Sequence, residues 1–233
     1  REPEHAKSYV GSAISMLAIL GVILCVAVQL FLRPMMLLFG ATPDVIDYAC
    51  TYTRITSIGF PFLIVTIGGS NLIRADGSPK FSMLCNLVGA IVNTILDPLF
   101  IFVFHMDVQG AALATVISQA VSAAFVLRFL TGRQTILHLK RRLLRLNWKL
   151  LAPCVALGLA PFIMQSTESL VSVCFNTSLR AAGGTLAVGT MTICSTLMQF
   201  ALLPLQGLSQ GAQPIISLSL IHISEPTRRR GIS

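Results

Sequence analysis

Six apolar stretches, at residues 10–32, 55–72, 83–104, 110–130, 151–175 and 186–208, follow one another along this chain with only short polar breaks between them. About 20 apolar residues cross the hydrocarbon layer of a bilayer as a helix. In that solvent only structures that satisfy their own backbone hydrogen bonds can span. The strands of a membrane barrel would alternate polar and apolar residues in short segments, and these runs are long and continuous. The expected fold is therefore an all-α membrane protein, a polytopic bundle of about six transmembrane helices. Composition agrees: 11% of the 233 residues are charged, against roughly a quarter in an average soluble domain. Frequent Gly, Ala, Ser and Thr suit helices that pack by close backbone approach. The second run is the weakest, being interrupted by Pro61, Gly68 and Gly69.

Orientation follows from the cations. Segment 133–149 holds Arg133, Lys140, Arg141, Arg142, Arg145 and Lys149 and no acid, which places it in the cytoplasm by the positive-inside rule. Alternation then puts the amino terminus and residues 74–80 inside, and 33–54, 105–109 and 180–185 outside. The same basic segment also reads as an amphipathic helix on anionic lipid, with Leu137, Leu139, Leu143, Leu144, Leu146 and Trp148 as its apolar side. One juxtamembrane cluster accounts for most of the net charge of +8, so the partner it implies is the bilayer and not nucleic acid. The chain divides at this segment into 1–132, 133–150 and 151–217. From Leu218 onward the text LSLIHISEPTRRRGIS resembles the translation of a sequencing adapter, and 218–233 is expected to be a non-native tail. The opening REPEH, without an initiator methionine, reads as the start of a fragment of a longer protein.

Cofactor chemistry has little to stand on. Cys25, Cys50, Cys85, Cys154, Cys174 and Cys194 form no CxxC pair and read as small core residues. His5, His105, His138 and His222 are scattered. No phosphate-cradling glycine loop, HExxH or GxSxG is present. An enzyme would need a convergent acid, base or metal set, and no metal or organic cofactor is expected beyond a coupling ion.

Chemistry concentrates in the third run. Asp97 places a carboxylate at membrane depth, which costs about 2.5–3.5 kcal/mol and makes it a functional candidate. Asn93 lies one turn earlier on the same helical face, so an amide and a carboxylate can meet one ligand. Pro98 removes the backbone bond that would end on the Thr94 carbonyl, predicting a kink. Across the turn at 105–109, Thr115 falls at a depth similar to that of Asp97. Carboxylate, amide and hydroxyl oxygens suit a small hard cation such as Na+, and the carboxylate could equally carry a proton. The structural alternative is polar glue between helices. Glu168, among Gln165, Ser166, Thr167, Ser169 and Ser172, makes part of the fifth run wet, with packing as its alternative role. Arg74, Asp76, Gly77 and Pro79 belong to a short turn in which Gly permits positive φ and Pro fixes the chain; a local Arg74–Asp76 pairing is expected to shape it.

Four motifs in order, IRADGSPKFSM, NTILDPLFIF, GAALATVISQ and GLSQGAQPIIS, resemble those of the multidrug and toxic compound extrusion (MATE) family, in particular its bacterial drug-efflux branch. The resemblance covers residues 1–217. It implies twelve helices in two six-helix lobes around a cavity, of which this chain would carry the third to eighth, with 1–132 in the amino lobe and 151–217 opening the carboxy lobe. It further implies a cation or proton coupling site at Asn93, Asp97 and Thr115, with Glu168 similar to an acid that some members carry on the seventh helix. The implied function is a Na+- or H+-coupled antiporter exporting cationic or amphiphilic drug-like compounds, monomeric, in the bacterial inner membrane. The alternative is a lipid-linked oligosaccharide flippase of the same larger fold group, whose cavity would favour cations over acids.

Overall fold

The computed structural model describes residues 2–39, 41, 45–132, 135 and 148–230. Among these there are helices and no strands. The elements are α1 (Glu2–Leu38), α2 (Ile46–Ser57), α3 (Phe60–Ala75), α4 (Pro79–Pro98), a π-helical turn (Leu99–Val103), α5 (Asp107–Thr131) and α6 (Trp148–Arg230). By length and composition five segments suffice to cross a membrane, and a sixth arises when α2 and α3, bent by 54° at their junction, count as one broken span. The chain forms two compact units, Arg1–Val173 and Cys174–Ser233.

In the first unit the fold-determining seams are made by small residues. Along α1, Leu17 lies over Gly68 and Gly21 faces Pro61 of α3. On α3, Gly69 meets Val126 of α5, and on α4, Gly89 meets Ser122 of α5. Each is a place where a missing Cβ lets two backbones approach, the usual solution when lipid offers no hydrophobic drive between helices. An apolar cluster of Val10, Ile14, Ile73, Cys85, Val126, Phe129 and Leu130 closes one end of the bundle, with Phe81 stacked on Phe129 at 4.4 Å between ring centres. Large apolar side chains elsewhere face outward: Leu30 and Phe102 are each 72% exposed, as residues in contact with lipid are.

The breaks between helices have local causes. Pro34 lies inside α1, and the backbone leaves helical geometry at Phe31 (φ −108°, ψ 20°), next to the Leu30 carbonyl that the proline ring crowds. After α3, Gly77 adopts φ +85°. Its N–H reaches the Arg74 carbonyl at 3.1 Å and the Ser78 N–H reaches the Ile73 carbonyl at 3.1 Å. That is a Schellman stop, and Pro79 then opens α4 in its first turn, where its missing N–H costs nothing. Pro98 does disturb α4 as its chemistry requires: the chain widens into the π turn, with the Leu99 carbonyl accepting from Phe104 N–H at 3.1 Å.

Several sequence expectations change. The polar stretch 33–54 is largely helical: 33–38 ends α1 and 46–54 lies in α2. Its polar residues form the exposed side of a helix that buries Ile46 and Ser57. The break in the second span falls at Ile58–Gly59, before Pro61, because Pro61 sits in the first turn of α3 and starts that helix instead of interrupting it. Residues 180–185 are helical apart from Gly184 (φ 65°, ψ −158°), a geometry only glycine accepts readily. Of the six cysteines only Cys85 is buried; Cys154, Cys174 and Cys194 on α6 are exposed, since the side chains of residues 152–172 are almost all exposed. Helix α6 continues to Arg230 without a break at Leu218. The basic segment falls outside the described residues except for Thr135 and the start of α6.

Candidate functional site

Asn93 and Asp97 occupy the last two turns of α4 before Pro98, both half-buried. The Asn93 amide nitrogen donates to Asp97 Oδ1 at 3.4 Å, a long contact that leaves the carboxylate with most of its accepting capacity. Opposite them on α5, the Thr115 hydroxyl donates to the Ala111 carbonyl at 2.9 Å. Its proton is thereby committed to its own helix, and its lone pairs stay available as acceptors.

Asn93 and Thr115 line one cavity of about 260 Å3 between α3, α4 and α5. Its other polar walls are Thr66 of α3, Asn86 of α4, and Ser118, Gln119 and Ser122 of α5. The structure thus brings Asn93 and Thr115 together across the α4–α5 seam. Asp97 is not in the wall; it is tied to it through Asn93, one turn along α4. Two side-chain atoms on the cavity-lining residues, Thr66 Oγ1 and Gln119 Oε1, are buried without a hydrogen-bond partner among the described residues. Neither was singled out by the sequence reading, although Thr115, Ser118, Gln119 and Ser122 recur at the i, i+3, i+4, i+7 spacing of one helical face.

Asn86 marks the far end of the same wall. Its amide donates to Ser70 Oγ at 3.3 Å and to the Ser82 carbonyl at 3.1 Å. Ser82 Oγ donates to the Ser70 carbonyl at 2.9 Å and accepts from Arg74 Nε at 3.2 Å. Arg74 therefore fastens α3 to α4 through Ser82, where the sequence suggested a pairing with Asp76; Asp76 Oδ1 is buried and has no hydrogen-bond partner among the described residues. The turn residues Arg74, Asp76, Gly77 and Pro79 are structural in position and lie away from the cavity wall.

Glu168 is not brought to this cavity. It is exposed on α6, where Gln165 donates to its Oε2 at 3.0 Å. The hydroxyls around it donate to their own helix: Thr167 to Ile163, Ser169 to Gln165 and Ser172 to Glu168, all at 2.9–3.0 Å. Such back-bonding satisfies them without wet surroundings.

With this geometry in hand, similarity to known proteins is informative. Residues 1–99 match the family model MatE. The multidrug export protein MepA of Staphylococcus haemolyticus (strain JCSC1435) is 28% identical over 229 residues, 97% of this chain and 50% of that protein. The solved MATE multidrug transporter DinF-BH in complex with rhodamine 6G is 31% identical with a TM-score of 0.78, over 92% of this chain and 53% of that one. An outward-facing conformation of a multidrug resistance MATE family transporter of the MOP superfamily shares the fold, at 22% identity and a TM-score of 0.75, over 89% of this chain and 51% of that one. The chain spans about half the length of the curated relatives it matches. Those relatives are named as export proteins, transporters and not enzymes. By its matched amino-terminal residues, its half-length relatives and its helical bundle, the chain is a multi-pass membrane protein that belongs to the MATE family.

Proposed function

We propose that this chain supplies the ion-coupling half of a multidrug antiporter, one that exports cationic or amphiphilic organic compounds in exchange for Na+ or H+. The observation that carries this reading is the juxtaposition of Asn93 and Thr115 on one oxygen-lined cavity with Asp97 hydrogen-bonded at its edge. The relatives named multidrug export proteins, and the one solved with rhodamine 6G, support drug-like cargo.

The mechanism needs a group whose free energy differs between two arrangements of the helices. An ionised Asp97 at membrane depth carries a penalty of about 2.5–3.5 kcal/mol. A bound cation or proton removes much of it. The ion therefore favours whichever arrangement secludes Asp97, and the ion-free carboxylate favours one that wets it. Asn93 holds Oδ1 in place through its amide nitrogen and leaves its own carbonyl oxygen for a ligand. Thr115 adds a hydroxyl lone pair from the facing helix. The π turn after Pro98 supplies a widened segment next to the carboxylate, as broken helices do near transporter sites. Glu168 is a second candidate coupling acid on α6. The protein would act as a monomer in the bacterial inner membrane, with segment 133–149 on the cytoplasmic side.

The test is dye export in proteoliposomes holding the complete protein encoded at this chain's locus, with sodium and proton gradients imposed separately. Asp97→Asn should abolish coupled export while membrane levels are unchanged. Undiminished export by that variant refutes the coupling role. Transport of a labelled lipid-linked sugar in place of dye would reassign the cargo to the flippase reading.

A further inference from the structure

The cavity between α3, α4 and α5 holds more acceptor oxygen than the coupling residues account for. Thr66 Oγ1 and Gln119 Oε1 come from two different helices, line the same space and are buried without a partner among the described residues. A buried unmatched polar atom costs about 1–3 kcal/mol, so two beside one cavity call for an occupant. Packing does not explain Gln119 either: its amide oxygen lies where a Cβ on Gly59 would be, against the bend between α2 and α3.

The occupant must donate hydrogen bonds or carry positive charge, because an amide oxygen only accepts. No carboxylate lines the wall, and amide and hydroxyl oxygens hold no exchangeable charge near neutral pH, so these two groups are not a proton store. The space of about 260 Å3 exceeds many times the roughly 30 Å3 that one water occupies in the liquid. Asn93, Asn86 and Ser122 supply the additional polar partners that an ordered water needs.

We propose that Thr66 and Gln119 hold ordered water inside this cavity, and that this buried water forms part of the hydration shell of a sodium ion arriving at Asn93, Asp97 and Thr115. The inference rests on the coupling reading above and adds to it two positioning residues and a preference for Na+ over H+. A cation that keeps part of its shell enters the bundle without being stripped in one step, and Thr66 and Gln119 orient the waters that remain.

The experiment is a Na+ titration of dye export in proteoliposomes of the complete protein, comparing Thr66→Val, Gln119→Leu and the conservative Thr66→Ser, with Asp97→Asn in parallel. Thr66→Val and Gln119→Leu should each raise the half-saturating Na+ concentration on the order of tenfold, with the maximal rate far less affected. Thr66→Ser should stay within about twofold, since it keeps the hydroxyl. Unchanged half-saturation in both Thr66→Val and Gln119→Leu, with export abolished by Asp97→Asn, overturns this inference and leaves the coupling reading standing. Export driven by protons with no Na+ dependence does the same. Export unaffected by Asp97→Asn overturns both. Should the two variants fail to insert, a high-resolution map of the unsubstituted protein decides: water density within hydrogen-bond distance of both Thr66 Oγ1 and Gln119 Oε1 supports the proposal, and a dry cavity refutes it.

Discussion

The seam between α1 and α3 makes a quantitative prediction at Gly21. A Cβ built there would lie 2.6 Å from Pro61 Cα, 3.1 Å from Pro61 N and 3.3 Å from Pro61 Cβ. Carbon atoms in contact prefer about 3.5–4.0 Å. Two of the three obstacles belong to backbone at the start of a helix, so no rotamer change relieves them. Gly21→Ala therefore requires α1 and α3 to separate by roughly 1 Å, which also lifts Leu17 from Gly68 one turn away. Overpacking of this kind costs about 1–3 kcal/mol. The substitution also gains about 1 kcal/mol, because alanine is the better helix former. The net expectation is a loss of up to about 2 kcal/mol. Gly158 on α6 is the internal control, since no heavy atom lies within 4 Å of a Cβ there. Gly158→Ala should show only the propensity gain of about 1 kcal/mol. Thermal melts of the two variants in detergent, followed by helical circular dichroism, should move in opposite directions from the parent chain. A Gly21→Ala midpoint at or above that of the parent would mean that the α1–α3 approach is looser than described and that the close-packing argument fails.

Gly77→Ala isolates backbone conformation at the α3–α4 turn: nothing lies within 4 Å of the added methyl, yet φ is +85°, so a loss of about 1–2 kcal/mol from left-handed strain alone is expected in the same melt. Gly77→Asn, which tolerates that region better, should recover part of it. Ser82→Ala removes the fully buried hydroxyl that joins Arg74 to the Ser70 carbonyl, and should cost about 1–3 kcal/mol. A Ser82→Ala midpoint equal to that of the parent would show that Arg74 does not fasten α3 to α4 through this group.

Most of the bundle was legible because length and continuity of apolar sequence carry the signal. All six spans fall where expected, and the Gly77–Pro79 turn has the conformation its residues demand. The misreadings share a cause. Gly68 and Gly69 looked like interruptions, but inside α3 they are contact surfaces for Leu17 and Val126, and which of the two a glycine is depends on what stands opposite it. In α2, Asp47, Tyr48, Thr51 and Arg54 looked like loop until the buried Ile46 and Ser57 gave the segment an inside.

The site was half legible for a reason that extends to other spanning helices. A hydroxyl can donate to the carbonyl four residues earlier, as Thr94, Thr115 and Thr167 do here, so its presence says little about its surroundings. An acceptor oxygen has no such refuge. Every backbone N–H in a helix interior is already spent on the ladder, so a buried amide or carboxylate oxygen must find its donor in another side chain, a neighbouring helix, water or a ligand. On that reasoning Asn93, Asp97, Gln119 and Glu168 are the informative positions, and the chain separates them. Glu168 finds a donor in Gln165 on its own helix, Asp97 finds a long one in Asn93, and Gln119 finds none among the described residues. The least satisfied oxygen lies on the cavity that Asn93 and Thr115 share, so the site extends beyond the pair of residues that first marked it, into a helix face whose polarity the surrounding apolar sequence conceals.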